Sequence, residues 1–179
     1  TLLDYAYADG AVFTPGVITS YICRETIRRA VVKKFNESQL PGAGKFKTIT
    51  DIRNTLRNEP QYRGIFSNNL INSLRICDPA VGSGHFLVSA LNELILIKSE
   101  LGILQDVNGR ILDVDAKIVN DELIFIDERG NQFRYEPDNW KSQIIQQTIF
   151  NEKLMIITNC LYGVDLNPKS VSICRLRLW

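Results

Sequence analysis

The residues best suited to binding a small ligand lie at 78–87 and read Asp-Pro-Ala-Val-Gly-Ser-Gly-His-Phe-Leu. A short apolar stretch precedes them and an apolar-periodic stretch follows, which predicts a strand, a Gly-Ser-Gly turn and a helix. Gly82 and Gly84 would let a ligand approach the backbone, and the amino end of a helix favours an anionic group. The pattern is not a dinucleotide fingerprint, because its third glycine would fall at Leu87. It is not a Walker phosphate loop either, because no Gly-Lys-Ser/Thr follows.

A second candidate lies at 161–168, which read Leu-Tyr-Gly-Val-Asp-Leu-Asn-Pro. Here Asp165 follows the next predicted strand. In open α/β sheets ligands bind outside the carboxyl ends of the strands, and an acidic residue there can hold ribose hydroxyls. The alternative is that Asp165 only caps a helix that starts near Pro168. The glycine turn upstream favours the binding role.

A third motif, Ala-Val-Phe-Thr-Pro, occupies 11–15. Thr14 is a natural N-cap and Pro15 suits the first helical position, so a helix is predicted from about 14 to 35. Apolar residues follow a helical period through this stretch, at Val17, Ile18, Tyr21, Ile22 and Ile27. The position of this motif upstream of the glycine turn also allows a functional role.

The elements that must position these motifs alternate between helix and strand. Further helices are predicted near 48–56, 84–101, 139–158 and from 168 onward, and strands at 73–78 and 160–165. Strands separated by helices predict a parallel, doubly wound α/β sheet, with the strand at 73–78 buried in it. The segment 105–137 differs, because turn dipeptides punctuate runs rich in Ile, Val and Phe. It predicts an inserted antiparallel meander of two or three strands.

Composition limits the class of protein. The chain has 179 residues, which suits one domain, and 21 Lys and Arg against 20 Asp and Glu. A wholly basic nucleic-acid module is therefore not expected. Residues 24–47 carry seven basic against two acidic side chains, which is either a solvated helix face or a contact with a DNA backbone. The meander carries eight acidic against four basic side chains, so we do not expect it to lie on DNA.

Four cysteines without Cys-x-x-Cys spacing, together with a single histidine at His85, do not predict a zinc site. We expect reduced, mostly buried thiols in a cytoplasmic protein. No apolar run reaches the roughly 18 residues of a membrane span, and no signal peptide opens the sequence. The sequence starts without Met and stops at Trp179 in a helical pattern. We therefore expect a piece of a longer protein.

Together the three motifs resemble those of the DNA amino-methyltransferases, in the gamma-class order in which Phe/Tyr-Thr-Pro precedes Asp-Pro-Ala-x-Gly-Ser-Gly. The pair Asp-Pro-Ala-x-Gly-Ser-Gly-x-Phe-Leu and Leu-Tyr-Gly-Val-Asp-Leu-Asn-Pro is most similar to the adenine-N6 branch. Within it the similarity is greatest to type IIG restriction–modification enzymes and their phage-defence relatives. The resemblance covers 11–21, 76–94 and 161–179. It implies a truncated Rossmann-like fold that binds S-adenosylmethionine (SAM).

The resemblance divides the chain into four parts. They are an amino-terminal helical region at 1–73, the glycine-turn motif at 74–104, the meander at 105–137, and a helix–strand–helix unit at 138–179. It also implies a set of SAM-binding residues. They are Phe13, Thr14, Asp78, Pro79, Ala80, Gly82, Ser83, Gly84, Asp165 and Leu166.

The resemblance gives these residues separate roles. Phe13 and Thr14 would touch the methionine and adenosine ends. Asp78 would face the methionine amino group. Asp165 would accept both ribose hydroxyls, and Leu166 would pack on the adenine ring. The other members of the set belong to the glycine turn, where the cofactor would lie against backbone.

Neither a metal nor a catalytic role for His85 is implied, and we expect that histidine to pack or to face solvent. One departure matters, because the family's Asn/Asp-Pro-Pro-Tyr/Phe motif is absent. The only Asn-Pro is Asn167-Pro168, followed by Lys169. We expect the catalytic motif beyond Trp179.

The parent enzyme would then methylate double-stranded DNA in a bacterial or archaeal cytoplasm, whereas this chain alone would at most bind cofactor. Two alternatives stay open. One is a methyltransferase acting on cytosine N4, RNA, protein or a small molecule. The other is a non-catalytic SAM-fold module that serves as an interaction scaffold. The sequence does not give the oligomeric state.

Overall fold

The computed structural model describes residues 14–112, 114–120, 122–126 and 130–179. In chain order the elements are α1 (Gly16–Asn36), α2 (Ile49–Asn58), a 3-10 turn (Pro60–Tyr62), α3 (Ile65–Asn72), β1 (Ile76–Asp78), α4 (His85–Leu101), β2 (Asp115–Val119), β3 (Glu122–Ile126), α5 (Trp140–Asn159), β4 (Leu161–Gly163) and α6 (Pro168–Leu178). In this part of the chain no helix is long and apolar enough to cross a membrane.

Helix α4 lies at the centre of the core. Its residues Leu94, Ile95 and Ile97 are completely buried, and helices α1, α2, α5 and α6 all pack against it. A helix that is apolar on nearly all sides is stable only when other elements surround it. The prediction of a helix over 84–101 is confirmed, and its amino end carries the glycine turn.

Strands β1 and β4 pair in parallel, with Ile76 opposite Leu161 and Asp78 opposite Gly163. The structure combines helices with a small parallel sheet, which is compatible with the predicted α/β class. The expectation that the strand at 73–78 is buried is wrong. Cys77 is exposed, because within the described residues only two strands of three residues each form this sheet.

The meander segment contains the antiparallel pair β2–β3, with Val119 opposite Glu122, and Asn120 has a left-handed φ of 51°. An isolated bridge from Ile126 to Gln132 extends it, so antiparallel pairing occurs in the predicted segment. It also packs against α4: Phe125 is buried, and the Ser99 hydroxyl donates a 2.7 Å hydrogen bond to the Val114 carbonyl. This segment therefore contributes to the core through Phe125.

The start of α1 differs from the prediction. The N-cap residue is Pro15 and not Thr14, and no side-chain cap is formed. Pro15 has an extended ψ of 141°, and its carbonyl accepts hydrogen bonds from the amides of Ile18 and Thr19. The helix therefore begins at Gly16, one residue later than the Thr-Pro pattern predicted.

The buried face of α1 also differs. It is formed by Thr19, Cys23, Ile27, Val31 and Phe35. Of the five apolar residues at helical spacing only Ile27 is buried, whereas four are exposed: Val17, Ile18, Tyr21 and Ile22. Spacing of four residues along one row brings the buried set against α4. Thr19 is accommodated there by a hydrogen bond to Ser89.

Three of the basic side chains at 24–47 form ion pairs within the protein. Arg28 contacts Glu93 and Glu100, each at 2.6 Å, and so ties α1 to α4. The other two form exposed i,i+4 pairs, Arg29 with Glu25 and Lys33 with Glu37. These pairs favour a helix face of structural and solvated charges over a DNA contact.

All four cysteines are free thiols; Cys77 is exposed, whereas Cys23, Cys160 and Cys174 are buried. Burial raises the pKa of Cys23 to about 11, with Glu93 and Asp78 adding to the shift. Only the thiolate reacts rapidly with disulfide reagents.

We therefore expect one fast-reacting thiol per chain at pH 8, with the other three reacting only on unfolding. Titration with a chromogenic disulfide, before and after adding denaturant, would measure this. Loss of the fast phase in Cys77→Ser is the control. Two or more fast thiols would contradict the packing described above.

Candidate functional site

The glycine turn between β1 and α4 has the conformation that its sequence predicts. Gly82 and Gly84 have φ of 52° and 88°, in the left-handed region that side chains other than glycine rarely adopt. The Gly84 amide donates to the Val81 carbonyl at 2.8 Å, which closes the turn. The Gly84 carbonyl then accepts from Val88 in the first turn of α4.

The two glycines serve different purposes. A Cβ atom at Gly82 would meet nothing within 4 Å, so this residue opens onto free space. A Cβ atom at Gly84 would lie 2.6 Å from Cys174 Sγ and 3.2 Å from its Cα. Gly84 therefore lets helix α6 approach the turn, whereas Gly82 leaves the backbone accessible to a ligand.

Asp165 joins the second acidic motif to the glycine turn. Its Oδ2 accepts a 2.9 Å hydrogen bond from the Gly82 amide, and its Oδ1 accepts one of 2.7 Å from Asn167. The cap of α6 is Asn167, whose side chain accepts from the Lys169 amide. Asp165 is therefore not the cap of this helix. Each carboxylate oxygen has a second lone pair with which it can accept from a ligand.

Asp78 lies at the end of β1, directly beside β4. Its carbonyl accepts from the Val164 amide at 3.0 Å, and the Val164 carbonyl accepts from Val81 at 2.9 Å. These bonds continue the parallel pairing past the strand ends. The Asp78 side chain accepts from the Ala80 amide at 3.1 Å. The two acidic motifs thus meet at one edge of the sheet, as the sequence predicted.

The remaining predicted residues differ in how exposed they are. Pro79 is exposed and Ser83 is half-buried in the turn. Leu166 is fully exposed, at 103% of its reference area. Thr14 is half-buried just before α1, and Phe13 lies outside the described residues.

Helix α1 is nevertheless attached next to the glycine turn. Thr19 and Ser89 share a buried hydrogen bond of 3.1 Å between their hydroxyls. Cys23 Sγ lies 3.5 Å from the Phe86 carbonyl, to which it donates. The amino-terminal half of α1 therefore runs beside the first two turns of α4.

Two residues that sequence reasoning missed also shape the site. A Cβ atom at Gly163 would lie 2.9 Å from Val81 and 3.0 Å from Leu87, so glycine is required for β4 to approach the turn. Arg177 donates to the Ser83 carbonyl at 3.2 Å and lies 3.4 Å from the His85 ring. Gly163 belongs to a motif already singled out, whereas no sequence pattern pointed to Arg177.

Two cavities among the described residues lie away from these motifs. One of about 1020 Å³ separates the meander from the start of α5 and includes Trp140, and one of about 690 Å³ separates α1 from α2. Among the described residues no group of three or more His, Cys, Asp or Glu could hold a metal ion. The candidate site is therefore the open edge formed by the glycine turn and the two acidic strand ends.

Comparison with known proteins identifies a relative in Methanocaldococcus jannaschii. It is 35% identical over 175 residues, which is 95% of this chain, and it is named "putative type II restriction enzyme and methyltransferase". The chain spans about 12% of the length of that protein. No family model matches the chain, and no solved structure matches it.

Proposed function

We propose that this chain is the SAM-binding part of a site-specific DNA methyltransferase that transfers a methyl group to adenine N6. We place it within a type IIG restriction–modification or phage-defence enzyme. The observation that carries the proposal is the hydrogen bond from the Gly82 amide to Asp165, which joins the two acidic motifs at one site. The name of the archaeal relative supports the same reaction class.

The residues present fit the chemistry of SAM. The Asp165 carboxylate has acceptor capacity left for two ribose hydroxyls. Asp78 offers a carboxylate to the ammonium group of the methionine moiety. Gly82 leaves room for a ligand against backbone, since nothing lies within 4 Å of its Cβ position. Leu166 presents an exposed apolar side chain for the adenine ring.

SAM would supply an electrophilic methyl group on a sulfonium centre. The residues described here bind and orient; they do not activate the acceptor. An adenine in duplex DNA reaches such a site only when it leaves the base stack. Its amine then needs side-chain and carbonyl acceptors and an aromatic ring. The Asn/Asp-Pro-Pro-Tyr/Phe motif that would supply them is absent from these 179 residues. In this proposal another part of the polypeptide provides it.

The proposal is tested by incubating the full-length protein with methyl-labelled SAM and duplex DNA. Digestion to nucleosides followed by mass spectrometry should detect N6-methyladenine. Detection of N4-methylcytosine instead would keep the reaction class and change the base. Label found only in RNA or protein, or no SAM binding at all, would overturn the proposal.

Asp165→Ala should weaken SAM binding by roughly tenfold to hundredfold, because charge-assisted hydrogen bonds contribute about 1.5–3 kcal/mol. Asp165→Asn keeps an acceptor for the Gly82 amide but loses the charge, so we expect an intermediate affinity. Isothermal titration calorimetry of the full-length protein measures both. Glu122→Ala, an exposed carboxylate on the meander, is the control. Unchanged affinity in Asp165→Ala would remove this residue from the site.

A further inference from the structure

Each of three successive residues in the glycine turn is held by a residue that follows β4. The Gly82 amide donates to Asp165. The Ser83 carbonyl accepts from Arg177. Cys174 packs where a side chain at Gly84 would lie. Helix α6 and the residues just before it therefore contact each of these three turn residues.

Arg177 is the farthest of these contacts in sequence. It lies in the last turn of α6, 94 residues from Ser83. One guanidinium nitrogen, Nη1, reaches both the carbonyl of Ser83 at 3.2 Å and its hydroxyl at 3.4 Å. The other, Nη2, lies 3.4 Å from Nδ1 of His85. A planar guanidinium can hold several acceptors in one fixed arrangement, which an ammonium cannot.

The Ser83 peptide needs such a restraint. It lies between two glycines in the left-handed region, and glycine has more accessible backbone conformations than any other residue. The hydrogen bond from Gly84 to Val81 closes the turn, and contacts from outside it restrict the Ser83 peptide further. Asp165 fixes the amide side of the turn, at Gly82, and Arg177 fixes the carbonyl side, at Ser83.

We propose that Arg177 is a positioning residue for SAM, which holds the Ser83 peptide so that the backbone at Gly82 keeps its ligand-binding shape. The inference depends on the proposed SAM site. Arg177 acts through the turn and not on the cofactor. Its loss should therefore weaken the binding of every ligand that lies on the turn, whether or not that ligand carries a carboxylate.

The experiment compares Arg177→Ala, Arg177→Lys and the control Arg175→Ala in the full-length protein. Arg175 is exposed on the same helix, two residues earlier. Calorimetry would use two ligands: SAM, and 5′-methylthioadenosine, which shares the nucleoside but lacks the amino-acid group. Amide hydrogen exchange at Gly82 and Gly84 would report the shape of the turn directly.

We expect Arg177→Ala to bind both ligands about threefold to tenfold more weakly, the range for exposed charge-assisted hydrogen bonds. Exchange at the two glycine amides should accelerate, with little change in melting temperature. Arg177→Lys should recover part of the affinity, because one donor can still reach the Ser83 carbonyl. Arg175→Ala should behave as wild type.

Three outcomes would overturn the inference while leaving the SAM site intact. They are unchanged affinity in Arg177→Ala, equal losses in Arg175→Ala, and a loss confined to SAM. The last would mean that Arg177 contacts the carboxylate of the amino-acid group directly. If wild type binds neither ligand, the proposed function fails, and the cofactor role of Arg177 fails with it.

Discussion

Replacing Gly82 by valine should leave the protein folded and abolish SAM binding. Nothing beyond the adjacent residues lies within 4 Å of the Cβ position, so the protein has room for a side chain there. It would fill the space in which a ligand approaches the backbone. A β-branched residue at a φ of 52° also costs about 1–3 kcal/mol of strain, which a protein of ordinary stability survives. Circular dichroism and SAM calorimetry on the full-length protein measure the two effects.

Two other glycines make this test specific. Gly44 also has a positive φ, 85°, and nothing within 4 Å of its Cβ position, but it lies in the loop before α2. Gly44→Val should therefore carry similar strain and bind SAM normally. Gly84→Val should fail to fold, because the side chain would collide with Cys174. If Gly82→Val binds SAM as wild type does, Gly82 is only a turn residue and the ligand assignment is wrong.

The parallel pairing of β1 with β4 could be predicted because its signals are local. An apolar stretch, two left-handed glycines and the amino end of a helix follow one another within a dozen residues. An acidic residue at each strand end then falls at the same edge, since parallel strands point the same way. This topology places Asp165 at the same edge as the glycine turn, but the hydrogen bond between Gly82 and Asp165 is known only from the structure.

The buried face of α1 could not be predicted in the same way. Val17, Ile18 and Tyr21 are apolar at helical spacing, yet they are exposed, whereas Thr19 is buried. Tertiary packing on α4 selects the face, and a hydrogen bond to Ser89 compensates the buried hydroxyl. Periodicity identifies a helix but does not identify its partner.

Two residues that shape the turn but lie far from it in sequence were harder to predict. Gly163 stood inside a motif, but its role comes from the side chains of Val81 and Leu87, far away in sequence. Arg177 is an ordinary basic residue in the last turn of a helix, where the helix dipole alone would explain it. Only the packing of α6 over the turn shows its contact with Ser83.

A buried ion pair joins α4, which follows the glycine turn, to α5, which leads to β4. Lys98 of α4 is completely buried, and its Nζ lies 2.5 Å from Glu152 Oε2 on α5, whose side chain is 9% exposed. Taking one partner away would leave the other charge buried without compensation, which is far costlier than replacing both. The pair joins α4 to α5, and α5 leads directly into the strand that ends near Asp165.

Glu152→Ala should lower the free energy of unfolding by about 3–5 kcal/mol, because the buried Lys98 would lose its ion-pair partner. The double variant Lys98→Met, Glu152→Leu should recover most of that loss. Glu37→Ala, which removes the exposed pair with Lys33, should change stability by less than about 1 kcal/mol. Urea unfolding of the four proteins provides the comparison. A loss below about 1 kcal/mol in Glu152→Ala would mean that the pair is hydrated or that α5 is held by its apolar contacts alone.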